Sequence, residues 1–211
     1  MSRYSLPSAT GQLGKLGRKE PSRTGLANPP NSEADNLRFV RKNTTIPVPA
    51  AIDDWTEQDR HFIITERVPG TPLSEEWPSL SESRKDNDAE QTVEYLQQLR
   101  SLCSVRVQSI DEQLWDEMAK GLKNAPQDLQ DRLRNCMPTT QPYIFAHGDL
   151  TLKNIIVQKS TVTGIVDWEG SGHFPAWWEF VSTAIIDSKD DRSWKNLLRS
   201  HMEAHDAALQ F

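Results

Sequence analysis

Apolar residues recur along this chain at two spacings, one helical and one extended. Ala34, Leu37 and Val40, with Arg41, fall on one face at helical spacing behind Ser32-Glu33-Ala34-Asp35, a capping-box-like start. Phe62-Ile63-Ile64-Thr65-Glu66-Arg67-Val68 is a strand-like run that meets the turn signal Pro69-Gly70-Thr71-Pro72. Helical spacing returns from Asp88 to Cys136. Val93, Leu96, Leu99 and Leu102 form one stripe, Leu114, Trp115, Met118 and Leu122 a second, and Leu129, Leu133 and Cys136 a third. All three stripes are expected to face a core, and the acidic stretch Asp86 to Glu90 to be a solvated helix start. Three short strands follow: Tyr143 to Ala146, Ile155 to Val157 and Val162 to Val166. Pro175 suits a first helical position ahead of Trp177, Phe180, Val181, Ala184 and Ile185. A last helix is expected from Ser193 to about Leu209. Residues 1 to 32 are rich in Ser, Gly, Pro, Lys and Arg and hold no strand-length apolar run, so composition reads them as a flexible tail.

Composition narrows the class. A chain of 211 residues suits one domain or two small lobes, and 36% hydrophobic residues with 7 Trp are enough for a core. The 13 Pro and a mean hydropathy of -0.65 point to loop-rich portions. A net charge of -6 without a basic stripe argues against a nucleic-acid partner. Cys103 and Cys136 are too few for a disulfide framework and are expected as buried thiols on helix faces. No signal-like or bilayer-length apolar run is visible, so the expectation is a cytoplasmic protein with no membrane partner. Asn43-Thr44-Thr45 is a glycosylation sequon by pattern only.

The chemistry concentrates in YIFAHGDLTLKNIIVQKSTVTGIVDWE, from Tyr143 to Glu169. A polar loop carrying His147, Gly148 and Asp149 follows the first strand, Asn154 closes it five residues later, and Asp167 ends the last strand. Two carboxylates and an amide can then converge on one point. Magnesium-assisted phosphoryl transfer needs such a set, with one carboxylate for the attacking hydroxyl and an amide and a second carboxylate for the metal.

His147-Gly148-Asp149-Leu150 with Ile165-Val166-Asp167-Trp168-Glu169, followed by Pro175 and Glu179, resembles the aminoglycoside phosphotransferase and choline kinase-like family. Protein kinases usually carry Lys two residues after the catalytic Asp and Phe-Gly after the metal Asp. Here Thr151 and Trp168-Glu169 stand there, which favours the small-molecule branch. The resemblance spans roughly Glu33 to Phe180. It implies an α+β, protein-kinase-like two-lobed fold, with a truncated small lobe over 33–68 and a mostly helical large lobe over 69–211. It further implies ATP and magnesium as cofactors, Asp149 as the catalytic residue, Asn154 and Asp167 as metal ligands, and a small-molecule hydroxyl as acceptor. Lys15 and Glu33 would steady the nucleotide, and the backbone near Glu66 and Val68 would face the adenine at the hinge.

Several of these residues also admit plainer readings. Lys15-Leu16-Gly17-Arg18 resembles the family's Lys-bearing strand, yet Gly11, Gly14 and Gly17 around it suit a linker equally, and the hairpin expected before it is missing. Glu33 is either the partner of that Lys or a first-turn acid favoured by the helix dipole. Trp177 and Trp178 suit core packing or the acceptor side of the cleft, and Glu179 suits a structural ion pair. In the kinase-like reading His147 props the loop instead of carrying protons. His201 and His205 have metal-ligand spacing, but a zincin needs Glu directly after the first His, and here it is Glu203. The rival to an active transferase is a kinase-like binding or scaffold protein with an incomplete nucleotide lobe. An enzyme needs a cationic contact for the moving phosphoryl group, and a binding module does not.

Overall fold

The computed structural model describes residues 33–57, 60–104, 125–136, 142–186 and 188–209. Helix α1 (Glu33–Asn43) opens it, with acids in its first turn and Arg41 and Lys42 in its last, as the helix dipole favours. Ala34, Leu37 and Val40 are buried as their spacing predicts, while Arg41 is exposed. Strands β1 (Ala51–Glu57) and β2 (Arg60–Thr65) form an antiparallel pair, shorter at its far end than the run to Val68 suggested. Strand β3 (Thr71–Pro72), helix α2 (Leu73–Glu76) and a single 3-10 turn (Trp77–Ser79) lead to the long helix α3 (Glu82–Arg100). The remaining elements are β4 (Cys103–Ser104), α4 (Gln127–Cys136), β5 (Tyr143–Ala146), β6 (Ile155–Gln158), β7 (Thr161–Ile165), β8 (Gly172–Pro175), α5 (Trp178–Ser182), α6 (Lys189–His201) and α7 (Asp206–Leu209).

Beyond the β1–β2 pair, two antiparallel three-stranded sheets, β3-β6-β7 and β4-β5-β8, carry the segments that hold His147, Asp149, Asn154 and Asp167. Helix α3 backs both, packing on β5, β7 and α6. Its stripe of Val93, Leu96 and Leu99 is buried, with Leu102 packed at its edge. The β6–β7 connection places Lys159 and Ser160 at positive φ, the twist that a two-residue hairpin turn requires. Helix α3 fixes this turn: the Asn87 and Gln91 amides donate to Ser160 O, Arg84 holds the Ser160 hydroxyl, and Val162 N–H donates to Gln91 Oε1. The end of β7, where Asp167 follows, is thereby registered against α3, the longest helix among the described residues.

Several elements differ from expectation. Asp88 is buried instead of solvated, because Arg84 one turn earlier meets its carboxylate at 2.9 Å. Burial pushes the Asp88 carboxyl upward while Arg84 opposes the shift. Helix α3 ends at Arg100, so Cys103 lies on strand β4 and is exposed, contrary to the buried thiol expected there. Leu129 is likewise exposed. Pro175 closes β8 opposite Tyr143 instead of opening a helix; a residue without an N–H is tolerated at a strand end, and α5 begins three residues later. The last helix starts earlier than Ser193, at Lys189 under a Ser188 cap, and stops at His201 before α7. The stripe over Leu114 to Leu122 and the tail over residues 1 to 32 lie outside the described residues. No helix among the described residues is long and apolar enough to cross a membrane.

Candidate functional site

Strand β5 is buried along its whole length, and the chain leaves it at His147, itself fully buried. Two backbone donors at this exit need acceptors. Glu179, on α5, supplies them: His147 N–H donates to Oε2 at 2.6 Å and Gly148 N–H to Oε1 at 3.1 Å. Glu179 therefore does not serve as the ion-pair acid expected of it but acts as a carboxylate cap on the loop. Its burial raises the carboxyl from 4.5 to about 7, since desolvation outweighs the two amide donors and the Asp149 charge adds to it. Gly148 sits at φ +81, a backbone state that side chains resist, and a Cβ there would meet Trp178 Nε1 at 3.3 Å.

His147 then ties this loop to the end of β7. Its Nδ1 accepts the Asp149 N–H at 3.2 Å, so Nε2 carries the proton and donates to Val166 O at 3.1 Å. Burial lowers the ring to about 4, and this outweighs the opposing pull of Val166 O and the Asp167 charge. At neutral pH the imidazole is uncharged and has both nitrogens engaged, which makes it a prop instead of a proton carrier.

Asn154 completes the link. Its side-chain amide nitrogen donates to Asp149 O at 2.8 Å and to Asp149 Oδ2 at 3.0 Å, while its backbone carbonyl accepts the Val166 N–H at 2.9 Å. Asp149 is exposed, Asn154 is buried, and Asp167 follows Val166 directly at φ +68. Asp149 and Asn154 thus touch, and Asp167 joins them through Val166, which both Asn154 and His147 hold. One exposed carboxylate, one buried amide and a second carboxylate on strained backbone share a single loop system.

The other expected residues fall variously. Glu33 lies beside this system, accepting the Trp168 N–H at 3.3 Å. Glu66 is exposed; its N–H donates to Ala50 O at 2.9 Å and its carboxylate stands 3.8 Å from Arg41. Val68 packs on β7, so close that a Cβ at Gly164 would stand 2.4 Å from Val68 Cγ1. Lys15 lies outside the described residues. Trp177 is buried, whereas Trp178 is partly exposed and stacks on Phe174 with ring centroids 4.9 Å apart. His201, considered above with His205, pairs instead with Asp86 at 2.8 Å. Asn36 was missed altogether: it is buried on α1 and donates to Trp168 O at 2.9 Å. The one signal for it was a polar residue within the apolar face Ala34–Leu37–Val40.

Comparison with known proteins shows the family and the fold. The model of the phosphotransferase enzyme family matches residues 16–206. An aminoglycoside 3'-phosphotransferase of Streptomyces fradiae is 26% identical over 160 residues, covering 65% of this chain and 57% of that protein. The chain thus spans little more than half the length of this curated relative. Among solved structures, the streptomycin–ATP ternary complex of APH(2'')-IIa superposes with a TM-score of 0.57 at 17% identity, covering 84% of this chain and 68% of the other. The aminoglycoside phosphotransferase APH(3'')-Id of Streptomyces rimosus, in complex with ADP and streptomycin, gives 0.52 at 17% identity, covering 83% and 77%. At these identities the structural likeness shows the fold.

Proposed function

The chain belongs to the phosphotransferase enzyme family, and from that membership we propose that it transfers the γ-phosphoryl group of ATP to a hydroxyl of a small molecule. The observation that carries this reading is the direct Asn154–Asp149 hydrogen bond together with the tie from Asn154 through Val166 to Asp167. Asp149 is the exposed member and can receive a proton. In the proposed step the acceptor oxygen bonds to the γ-phosphorus, the bond to the β,γ-bridging oxygen breaks, ADP leaves, and the hydroxyl proton passes to Asp149.

The donors fit a magnesium ion in kind. Asn154 and Asp167 offer oxygen, and no group of three His, Cys, Asp or Glu side chains gathers among the described residues. A magnesium site of one carboxylate and one amide, completed by phosphate oxygens and water, needs no such group. When bound, the ion offsets charge on the phosphates. The chain's own work is positional: Glu179 and His147 set the loop, and Asn154 orients the Asp149 carboxylate. Relatives named for aminoglycosides, and a structural neighbour holding streptomycin, support an amine-bearing polyol as acceptor.

A coupled ADP-release assay with magnesium, ATP and a panel of aminoglycosides and simpler amino alcohols tests the reading. Turnover with at least one acceptor, lost in Asp149→Ala, is expected. Turnover that survives both Asp149→Ala and Asp167→Ala overturns it. Absence of a magnesium-dependent melting shift at millimolar ATP would favour a binding module.

A further inference from the structure

We propose that Asn36, with Glu33 one turn before it, is a positioning residue that clamps Trp168 from both sides and so holds the neighbouring Asp167 in its left-handed backbone; this rests on the phosphotransferase reading of Asp167. Residues three apart on a helix share a face. From that face Glu33 Oε1 accepts the Trp168 N–H at 3.3 Å, and Asn36 Nδ2 donates to Trp168 O at 2.9 Å and to Ser171 O at 3.2 Å. Both polar backbone atoms of the residue after Asp167 are thus engaged by α1, more than 130 residues earlier in the chain.

Simple satisfaction of the Trp168 carbonyl does not explain Asn36. Ser171 already donates to that carbonyl twice, from its hydroxyl at 2.6 Å and its N–H at 3.3 Å. Asn36 is 2% exposed and interrupts an apolar face, so its burial carries a desolvation cost that an aliphatic side chain would not. What it adds is direction: it draws the Trp168 and Ser171 carbonyls toward one point on α1. Asp167 needs such support. A non-glycine residue at φ +68 persists where its surroundings over-determine it. The Trp168 ring supplies the rest, being fully buried, bonded through Nε1 to Ile165 O at 2.8 Å and set edge-on to His147 at 4.6 Å. The docking of α1 and the aim of the Asp167 carboxylate are therefore one structural variable.

Two variants and a control test this. Asn36→Ala removes the donor, and Asn36→Ser keeps a polar side chain too short to reach. Val93→Ala, in the core of α3, supplies comparable loss of stability without touching the clamp. Hydrogen exchange is read on amides 166–171, and manganese binding in the presence of ATP is read by electron paramagnetic resonance. The expected result is at least tenfold faster exchange over 166–171 in both Asn36 variants, with the β6–β7 amides unchanged, and at least fivefold weaker manganese–ATP binding. Val93→Ala should show neither local effect. Unchanged exchange over 166–171, or a control that reproduces the Asn36 pattern, overturns the clamp. If the wild-type chain binds no manganese–ATP, the phosphotransferase reading falls, while the exchange result still decides the clamp.

Discussion

Asp149 and Asp167 are held by different means. Asp149 is exposed and oriented by one amide, while Asp167 is aimed by strained backbone. Removing a charge-stabilising group at such a site typically costs on the order of 10² or more in rate. Asp149→Ala and Asp167→Ala should each lose at least that much, and only Asp167→Ala should also weaken metal binding, measurable by titration calorimetry. Glu179 and His147 make a pH-dependent pair of opposite sign. The Glu179 carboxyl is raised from 4.5 to about 7, so its contribution to stability is complete below the unfolded value and is lost as pH rises toward 7. The His147 ring is lowered from 6.5 to about 4, so its contribution is present above 6.5 and lost as pH falls toward 4. Over the middle of this range the two slopes offset one another. Glu179→Gln should remove one of them: the stability difference between wild type and variant, from urea unfolding, should shift against wild type between pH 4.5 and 7. A constant difference would mean Glu179 does not change protonation there. The residue types in this loop and their spacing were readable from sequence, but the direction of each titration depended on burial that only the fold creates.

At the scale of elements, the three strands around the His147–Asn154 loop fell within a residue of where short apolar runs placed them, β7 spanning Thr161–Ile165 where Val162 to Val166 was expected, because each run is bounded by polar turn residues. Helix ends were less readable. Pro175 has the same fixed φ at a first helical position and at a strand end, and its pairing opposite Tyr143 settled the choice. Asp88 looked solvated because its Arg84 partner is visible only once both lie on α3 against the β6–β7 turn. The contact between β7 and the segment after β2 yields a test. Gly164→Ala would drive a methyl into Val68, and overpacking of this kind costs about 1–3 kcal/mol. Its melting temperature should fall, with weaker ATP binding if Val68 borders the nucleotide. Val68→Ala in the same chain should recover much of the loss, a coupling that a double-mutant cycle measures.

For the whole molecule, α6 ties the loop that carries Asp149 to the core. Trp194 is fully buried, lies edge-on to Trp77 at 5.5 Å and donates from Nε1 to Leu150 O at 2.9 Å, one residue past Asp149. Trp194→Phe keeps an aromatic ring but loses the donor and the pyrrole part of the indole, leaving a buried carbonyl unpaired at a cost of about 1–3 kcal/mol, to which the cavity left behind adds. For a chain of this size each kcal/mol corresponds to roughly 2–4 °C in melting temperature. A calorimetric scan should therefore show a drop of several degrees, and turnover should fall further than the lost stability alone accounts for. Helix α3, packed against α6, has a matching role, holding the β6–β7 hairpin by the side chains of Arg84, Asn87 and Gln91 and β5 by its apolar stripe.

The sequence by itself determined the local parts: a buried strand, a loop with His, Asp and Asn at fixed intervals, a second carboxylate after two short strands, and the kinase-like likeness those intervals carry. Spacing along a chain is a local quantity and survives in one dimension. The tertiary structure alone decided that Glu33 and Asn36 meet Trp168, that Glu179 caps the loop instead of pairing with a cation, and that Asp88 is buried while Cys103 is exposed. Each of these depends on the surface that a distant segment presents, and desolvation and hydrogen-bond direction have no value until that surface exists.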